Sequence, residues 1–410
     1  MNVATVKRAK ERIKYPSISN LGILGYGQNN LYPQDLLKIV SASETAMSCR
    51  NRRISFIEGN GFLDLKFAEA ELNEDGETAD DLLKQLAEDM ANFAGVAVHI
   101  NYNILGEPVS YAHIPFENCR LTEPDEYGHI HKIAVHPDWT GRLKRAGRFV
   151  QVNKENIDYI DIFNPDPKVV RAQIKEAGGI NKYKGQILWF GKGKQTYPIP
   201  AHDVAVAYMS TEEGLGNIVN RNVRNGLNPA GVFVIKKGSV PPNDTTEGFE
   251  NAGMNMNCES GGYCGGNEVN ALNDAITSLR GDENTNSIGT IEITNDDEMP
   301  QFIKLQGNNY DKDFTVTTQT TTEKIYAIFD QDIFYRIRNG NIGFSSEMMR
   351  EAYEYYSSVT GGDRRVIERV FDKLFKDRGI NPSNDFTLQP LIYVTTENSN
   401  ATNNTTPAAD

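Results

Sequence analysis

The chain has 410 residues, room for two or three domains and a sizeable core, with 39% hydrophobic and 24% charged residues, the ordinary balance of a soluble protein. Its formal net charge of −13 excludes a protein that grips nucleic-acid phosphates over its whole surface, but not one that meets DNA without sticking to it. Four cysteines fit a reducing compartment with no disulfide framework. With no apolar signal core and no apolar run of spanning length, we expect a soluble intracellular product and no membrane partner.

Residues 1–20 carry Lys7, Arg8, Lys10, Arg12 and Lys14 against Glu11, an arm that either touches an acidic neighbour or a phosphate or is simply a solvated terminus. Gly25 and Gly27 make a lone G-x-G without a preceding strand or third glycine, so no dinucleotide loop is expected. From Pro33 the apolar spacing of Leu36, Leu37, Ile39, Val40, Ala46, Met47, Ile54 and Phe56 predicts helix up to a stop at Gly59-Asn60-Gly61. Carboxylates dominate 58–89, opposed by Lys66 and Lys84. Within that stretch Thr78 can cap a helix, Asp80 and Asp81 suit its first turn, and Leu82, Leu83, Leu86, Met90 and Phe93 form a buried stripe. Strands are predicted at 96–103 and 108–115, joined across Leu105-Gly106, then at 129–136, 147–152, 157–163 and 186–190, with a helix over 168–177.

The stretch from Glu212 to Thr294 reads as an excursion that leaves a mixed fold and comes back. Leu215, Ile218, Val219, Val223 and Leu227 recur at helical spacing. A β-run follows at 232–237, then a turn-rich stretch from Gly238 to Gly266, a helix through Val269, Leu272, Ile276 and Leu279 closed by Gly281, and a strand at 288–294. Two short helices around a small β module cannot bury much surface alone. Such a piece either packs on the body or finds partners in other subunits. Beyond it we expect a strand at 301–305 and a helix over 311–329, although threonines between 315 and 321 weaken its propensity. Ser345 caps a helix with Met348, Met349, Ala352, Tyr355, Tyr356 and Val359 on its face. After Gly361-Gly362 a further helix runs through Val366, Ile367, Val370, Phe371, Leu374 and Phe375, closed by Gly379. The tail 395–410 is low in complexity and expected to be disordered. The fold class expected is α+β.

Motifs for chemistry are sparse. No phosphate-cradling loop, nucleophile elbow or H-E-x-x-H occurs. Strand alternation would place His129 and His131 on one face and His136 on the other, where a metal site competes with ordinary strand histidines. Cys258 and Cys264 flank a glycine-rich loop, with no second pair to complete four zinc ligands. Asp296, Asp297 and Glu298 form a carboxylate run that reads as a solvated turn.

Several stretches, in this order, resemble the portal proteins of tailed bacteriophages, the head-tail connectors, in particular those of phages and prophages of gut anaerobes. They are NNLYPQDLLKIVSASETAMSCRNRRISFIEGNGF, FAGVAVHINYNILGEPVSYAHIPFENCRL, DIFNPDP, YKGQILWFGKGKQTYPIP, NVRNGLNPAGVFVIKKG and the helix leading to IYAIFDQDIF, followed by the final pair of helices. The likeness covers roughly 25–380. It implies a portal fold: basic arm 1–20, wing 21–210, stem helices with clip 211–282, wing strands with tunnel loop and following helix 283–343, wing-to-crown helices 344–392 and tail 393–410. The stem helices would be Gly214–Asn228 and Asn267–Arg280, with the clip at about 229–262. The resemblance further implies a homo-oligomeric ring, commonly a dodecamer, at one capsid vertex of the virion, assembled in the host cytoplasm. Double-stranded DNA passes through such a ring without sequence specificity. Expected partners are the terminase large subunit, which supplies ATP hydrolysis, the major capsid or scaffold protein and a head-tail adaptor. No cofactor and no catalysis by the chain itself are expected. Channel candidates are Arg221 and Arg224, opposite the apolar stripe of the first stem helix, with Lys304. Tunnel-loop candidates are Asp296, Asp297, Glu298, Asn308 and Asn309, within 295–310. Two other readings stay open. One is a different virion structural protein, such as a head-completion or baseplate component, and the other is a metal-dependent hydrolase built on His129 and His131.

Overall fold

The computed structural model describes residues 15–393 apart from 143, 146–147, 150, 194–195, 226–231, 237–288, 294–309, 341–344, 379 and 382. The expected helix through Val269 to Leu279, the strand at 301–305, the Cys258–Cys264 loop, the basic positions 7–14, the stop at Gly379 and the tail 395–410 lie outside the described residues. The architecture is α+β, as expected.

Two strands, β1 (Ser17–Ile18) and β2 (Ile23–Leu24), pair as a small hairpin ahead of α1 (Tyr32–Ala42) and α2 (Glu44–Glu58). The continuous helix expected from Pro33 is therefore two helices. Ser43 is extended and its hydroxyl accepts the Ala46 N–H at 3.1 Å, an N-cap that restarts the helix. The stop at Gly59 holds, with φ +68° and a position where a Cβ would collide with the Gln389 carbonyl. A single turn, α3 (Leu65–Ala68), is capped by Asp64. The amphipathic helix α4 (Ala79–Phe93) starts at the predicted cap: Thr78 and Asp81 bond reciprocally, and Leu82, Leu83 and Leu86 are fully buried.

Six strands form the main sheet: β3 (Gly95–Tyr102), β4 (Pro108–His113), β5 (Cys119–Leu121), β6 (Lys132–Val135), β9 (Asp158–Ile162) and β10 (Gln186–Gly191). A hairpin of β7 (Lys144–Arg145) and β8 (Arg148–Phe149) interrupts them, so the strand expected over 147–152 is two residues long. The order is β4-β3-β10-β9-β6-β5; β10 runs antiparallel to β3 and parallel to β9. Helix α5 (Pro167–Glu176), capped by Asp166, makes the β9-to-β10 crossover. Period-two alternation sends Val96, Val98 and Ile100 of β3 into the core beneath α4, and Ala97 into a second core with Phe93, Phe116 and Ile187.

Helix α6 (Val206–Asn225) begins earlier than its periodicity required. Strands β11 (Val232–Lys236) and β12 (Gly289–Ile293) pair with each other in parallel, from Val232 opposite Gly289 to Lys236 opposite Ile293. Helices α7 (Tyr310–Ile328), α8 (Asp332–Arg338) and α9 (Ser346–Phe375) follow. Ser345 caps α9 as expected, accepting the Met348 N–H. The two expected terminal helices are one, because α9 runs unbroken through Gly361-Gly362. Two interior glycines cost about 1–2 kcal/mol together, but the flanking positions lock the backbone. Arg364, 8% exposed, donates to the carbonyls of Phe56 and Ser357 and to Thr360 Oγ1, while Ile367, Val370, Phe371, Leu374 and Phe375 fill the core against α4 and Phe62. Each such apolar side chain contributes about 1.5–3 kcal/mol on burial, so tertiary packing overrides local propensity.

By its contacts the chain divides into two units: Met1–Ser210 with Thr321–Asp410, and Thr211–Thr320. The first holds the sheet and its cores. The second holds the far part of α6, the β11–β12 pair and the first half of α7. Among the described residues no helix is long and apolar enough to cross a membrane.

Candidate functional site

The helices that cross between the two units are firmly rooted on the body side. Ala205 and Met209, at the start of α6, are fully buried, and so is Ile325 near the end of α7. His202 stacks on Phe329 with ring centroids 5.1 Å apart and is held neutral: burial first, then Arg53 and Arg50, lower its pKa to about 3. After α7 the chain turns at Asp330, in the left-handed region at φ +58°, and presents Gln331, which is fully buried. The Gln331 amide is satisfied on both sides. Its Nε2 donates to the Cys49 carbonyl at 2.7 Å and to Tyr356 Oη at 2.8 Å, and its Oε1 accepts from Arg52 Nη1 at 2.7 Å. Arg52 in turn lies over the Phe334 ring. One glutamine thus rivets α2, α9 and the α7–α8 turn together, a role in which a truncated partner would leave buried polar atoms unsatisfied.

No described side chain in 211–220 or 314–320 is buried, and Val219 and Val316 are 55% and 63% exposed. Neither β11 nor β12 has a further strand partner among the described residues. An isolated two-stranded sheet is marginal in water, and parallel pairing is the weaker kind. The expected channel residues Arg221 and Arg224 lie in the last turns of α6, within this second unit. Lys304, Asp296, Asp297, Glu298, Asn308 and Asn309 lie outside the described residues.

The body carries three further buried polar clusters that sequence reasoning missed. Asp363, in the middle of α9, accepts from Arg53 Nη2 at 2.7 Å and Lys192 Nζ at 2.6 Å. Asp89 of α4 accepts from His113 Nε2 at 2.7 Å and from the Phe116 N–H; burial raises its carboxyl to about 6 against the opposing effect of His113. Arg120, fully buried, donates to Asn30 Oδ1, the carbonyls of Asn30, Glu117 and Cys119, and Gln34 Oε1, and lies over the Trp139 ring. Desolvation lowers its pKa to about 10, so it remains a cation. Each cluster draws at least one partner from a distant part of the chain, as Asp363 does with Arg53, Asp89 with His113 and Arg120 with Asn30. A further polar residue stands within two positions of each, so nothing local signalled a buried role.

The histidine reading is corrected. His129 and His131 precede β6 and do not share a strand face. Asp125 organises their turn, accepting the N–H groups of Tyr127 and His129 on Oδ1 and bonding His131 Nε2 through Oδ2 at 2.9 Å. The His131 bond and those N–H groups lower the Asp125 pKa to about 2. His136 is buried, and its Nδ1 accepts the Asp138 N–H. Among the described residues no three His, Cys, Asp or Glu side chains converge as metal ligands. Burial pushes the Cys119 thiol far up, away from the thiolate a nucleophile needs.

No protein-family model and no curated protein sequence matches the chain. Three solved assemblies contain chains similar to it in structure. In the virion of a native gene transfer agent particle the TM-score is 0.34 at 11% identity, over 73% of this chain and 68% of that one. In the neck of a native particle computed with C12 symmetry it is 0.38 at 12% identity, over 78% and 76%. In the neck of an empty particle computed with C6 symmetry it is 0.33 at 14% identity, over 56% and 60%. Scores this low do not establish a shared fold.

Proposed function

We propose that the chain is the subunit of a phage portal ring, commonly twelve-membered, set at one capsid vertex of the virion, through which double-stranded DNA is packaged and ejected. The observation that carries this reading is the Thr211–Thr320 excursion. Two helices rooted in the body core leave it with no buried side chain in 211–220 or 314–320, and between them lies a parallel strand pair with no further strand partner among the described residues. Helices and strand edges of this kind gain their burial from neighbouring copies, as heterologous contacts in a closed ring supply. On this reading α6 is the first stem helix and α7 brings the chain back to the body. The clip then includes β12 as well as β11, since the two pair.

DNA meets the ring locally. At −13 per chain a closed assembly repels the phosphate backbone, which suits a channel through which DNA must slide. Arg221, Arg224 and Lys304 are our channel contacts, and Asp296, Asp297, Glu298, Asn308 and Asn309 the tunnel-loop positions. The ring docks the terminase large subunit during packaging and a head-tail adaptor afterwards, among major capsid or scaffold subunits. ATP hydrolysis belongs to the terminase, and this chain is structural. Negative-stain imaging and light scattering of the full chain, alone and co-expressed with its capsid protein, test the reading. Rings with an axial hole wide enough for duplex DNA are expected. A stable monomer at high concentration in both preparations would overturn it.

A further inference from the structure

A cavity of about 230 Å3 opens between the C-terminal half of α9 and the ends of β9 and β10. Phe163, Leu188, Phe190 and Val370 line it, and Arg369 and Lys373, one helical turn apart and both exposed, stand at its rim. An engineered apolar cavity of about 150 Å3 admits benzene, so this one has room for a leucine side chain. Apolar floor and cationic rim together call for an apolar knob flanked by carboxylates.

The chain displays such a knob. Leu63 and Leu65, at and just before α3, are 55% and 70% exposed, although Phe62 and Phe67 on either side of them are fully buried. Glu69, Glu71, Glu74 and Asp75 follow, all exposed, and outnumber the neighbouring Lys66. The knob cannot reach the cavity of its own chain. Phe67 of α3 packs on Phe371 and Phe375 of α9, with ring centroids 5.9 and 5.5 Å apart, whereas the cavity lies beside Val366 and Val370. Phe375 and Val366 are separated by about half a turn of phase at roughly 100° per residue. Knob and cavity therefore occupy opposite flanks of α9, the placement that generates head-to-tail association.

We infer that Leu65, with Leu63 beside it, enters the α9 cavity of a neighbouring copy, where Glu69 and Glu71 meet Arg369 and Lys373. The inference rests on the ring reading and names one of its contacts between subunits. Burying the leucine side chain in a preformed cavity supplies apolar area, and the opposite charges around it fix which surface it meets.

The test uses the full chain and mass photometry at fixed concentration. Leu65→Asp, and separately the pair Arg369→Glu with Lys373→Glu, should each lower the ring fraction roughly tenfold. The positions changed are exposed, so circular dichroism should match the parent. Adding Glu69→Lys and Glu71→Lys to the Arg369→Glu, Lys373→Glu variant should restore rings. Folded variants that form rings like the parent would overturn the contact and leave the ring reading standing. So would intact rings that fail to enter capsids, which would assign the cavity to another virion protein. Loss without rescue by the charge swap would overturn the pairing. A parent that forms no rings would remove the reading and this inference together.

Discussion

Replacing Asp363 with alanine removes the carboxylate that holds Arg53 of α2 and Lys192, the residue after β10, to the middle of α9. The Asp363 side chain is 3% exposed and accepts both cations at 2.7 Å or less. Removing one partner of a buried ion pair costs about 3–5 kcal/mol, because the other charge is stranded. The lower end applies here, since the Lys192 side chain is 50% exposed and regains water when released. We therefore expect a loss of about 3 kcal/mol for Asp363→Ala and less than about 1 kcal/mol for Lys192→Ala. The double variant Arg53→Met, Asp363→Leu, which strands no charge between these two, should return to within about 1 kcal/mol of the parent. Urea unfolding followed by the fluorescence of Trp139 and Trp189, both on the body, reads all three, with the denaturant slope unchanged. A loss below about 1 kcal/mol for Asp363→Ala would refute the reasoning and make this a screened surface bridge.

Asp89 gives a pH dependence. Its folded pKa, raised to about 6, means the folded chain holds the proton more tightly than the unfolded one. That stabilisation is complete below the unfolded carboxylate range and lost as pH rises through about 6. Asparagine cannot ionise, so Asp89→Asn should gain on the parent between about pH 4 and 6, by up to roughly 3 kcal/mol; urea melts showing the same difference at both ends would sink this. Thr78→Ala should cost about 1 kcal/mol by removing one half of the capping box, read as a lower urea midpoint. Gly59→Ala should be far worse than an ordinary surface change, since it combines positive φ with a clash against the Gln389 carbonyl; an unchanged melting temperature would count against this close approach of the two backbones. Arg221→Glu with Arg224→Glu should leave body folding and terminase ATPase intact while impairing packaging or ring closure; normal packaging would remove both residues from the channel.

Local chemistry explains what the sequence disclosed. Thr78 with Asp81, Ser345 and Gly59 mark helix ends through bonds or dihedrals made within a few residues, so their signals are complete in a short window. Ser43 carried the same kind of signal, masked by apolar residues at Val40, Ala46 and Met47 that kept a helical phase across the break. Gly361-Gly362 misled in the opposite sense, since what holds α9 straight there is Arg364 reaching the Phe56 carbonyl, a partner that periodicity cannot reveal. The sheet order was equally hidden: β10 inserts between β3 and β9, and nothing in a strand's alternation names its neighbours. Gln331 and Arg120 belong to the same class, because their acceptors lie across the chain and neither residue type advertises a buried role.

The split body has a consequence for synthesis. The core beneath α4 takes Ile367, Val370, Phe371, Leu374 and Phe375 from α9, which leaves the ribosome after the whole excursion has been made. Until then Phe62, Phe67 and Leu86 face an empty slot, and a nascent chain holding every strand of the main sheet still displays an aromatic-lined groove. The excursion is thus also a delay line: its 110 residues (Thr211–Thr320) set how long a half-built body must be shielded from its siblings on the same polysome. Stretching that segment would lengthen the exposure without changing the core that α9 completes.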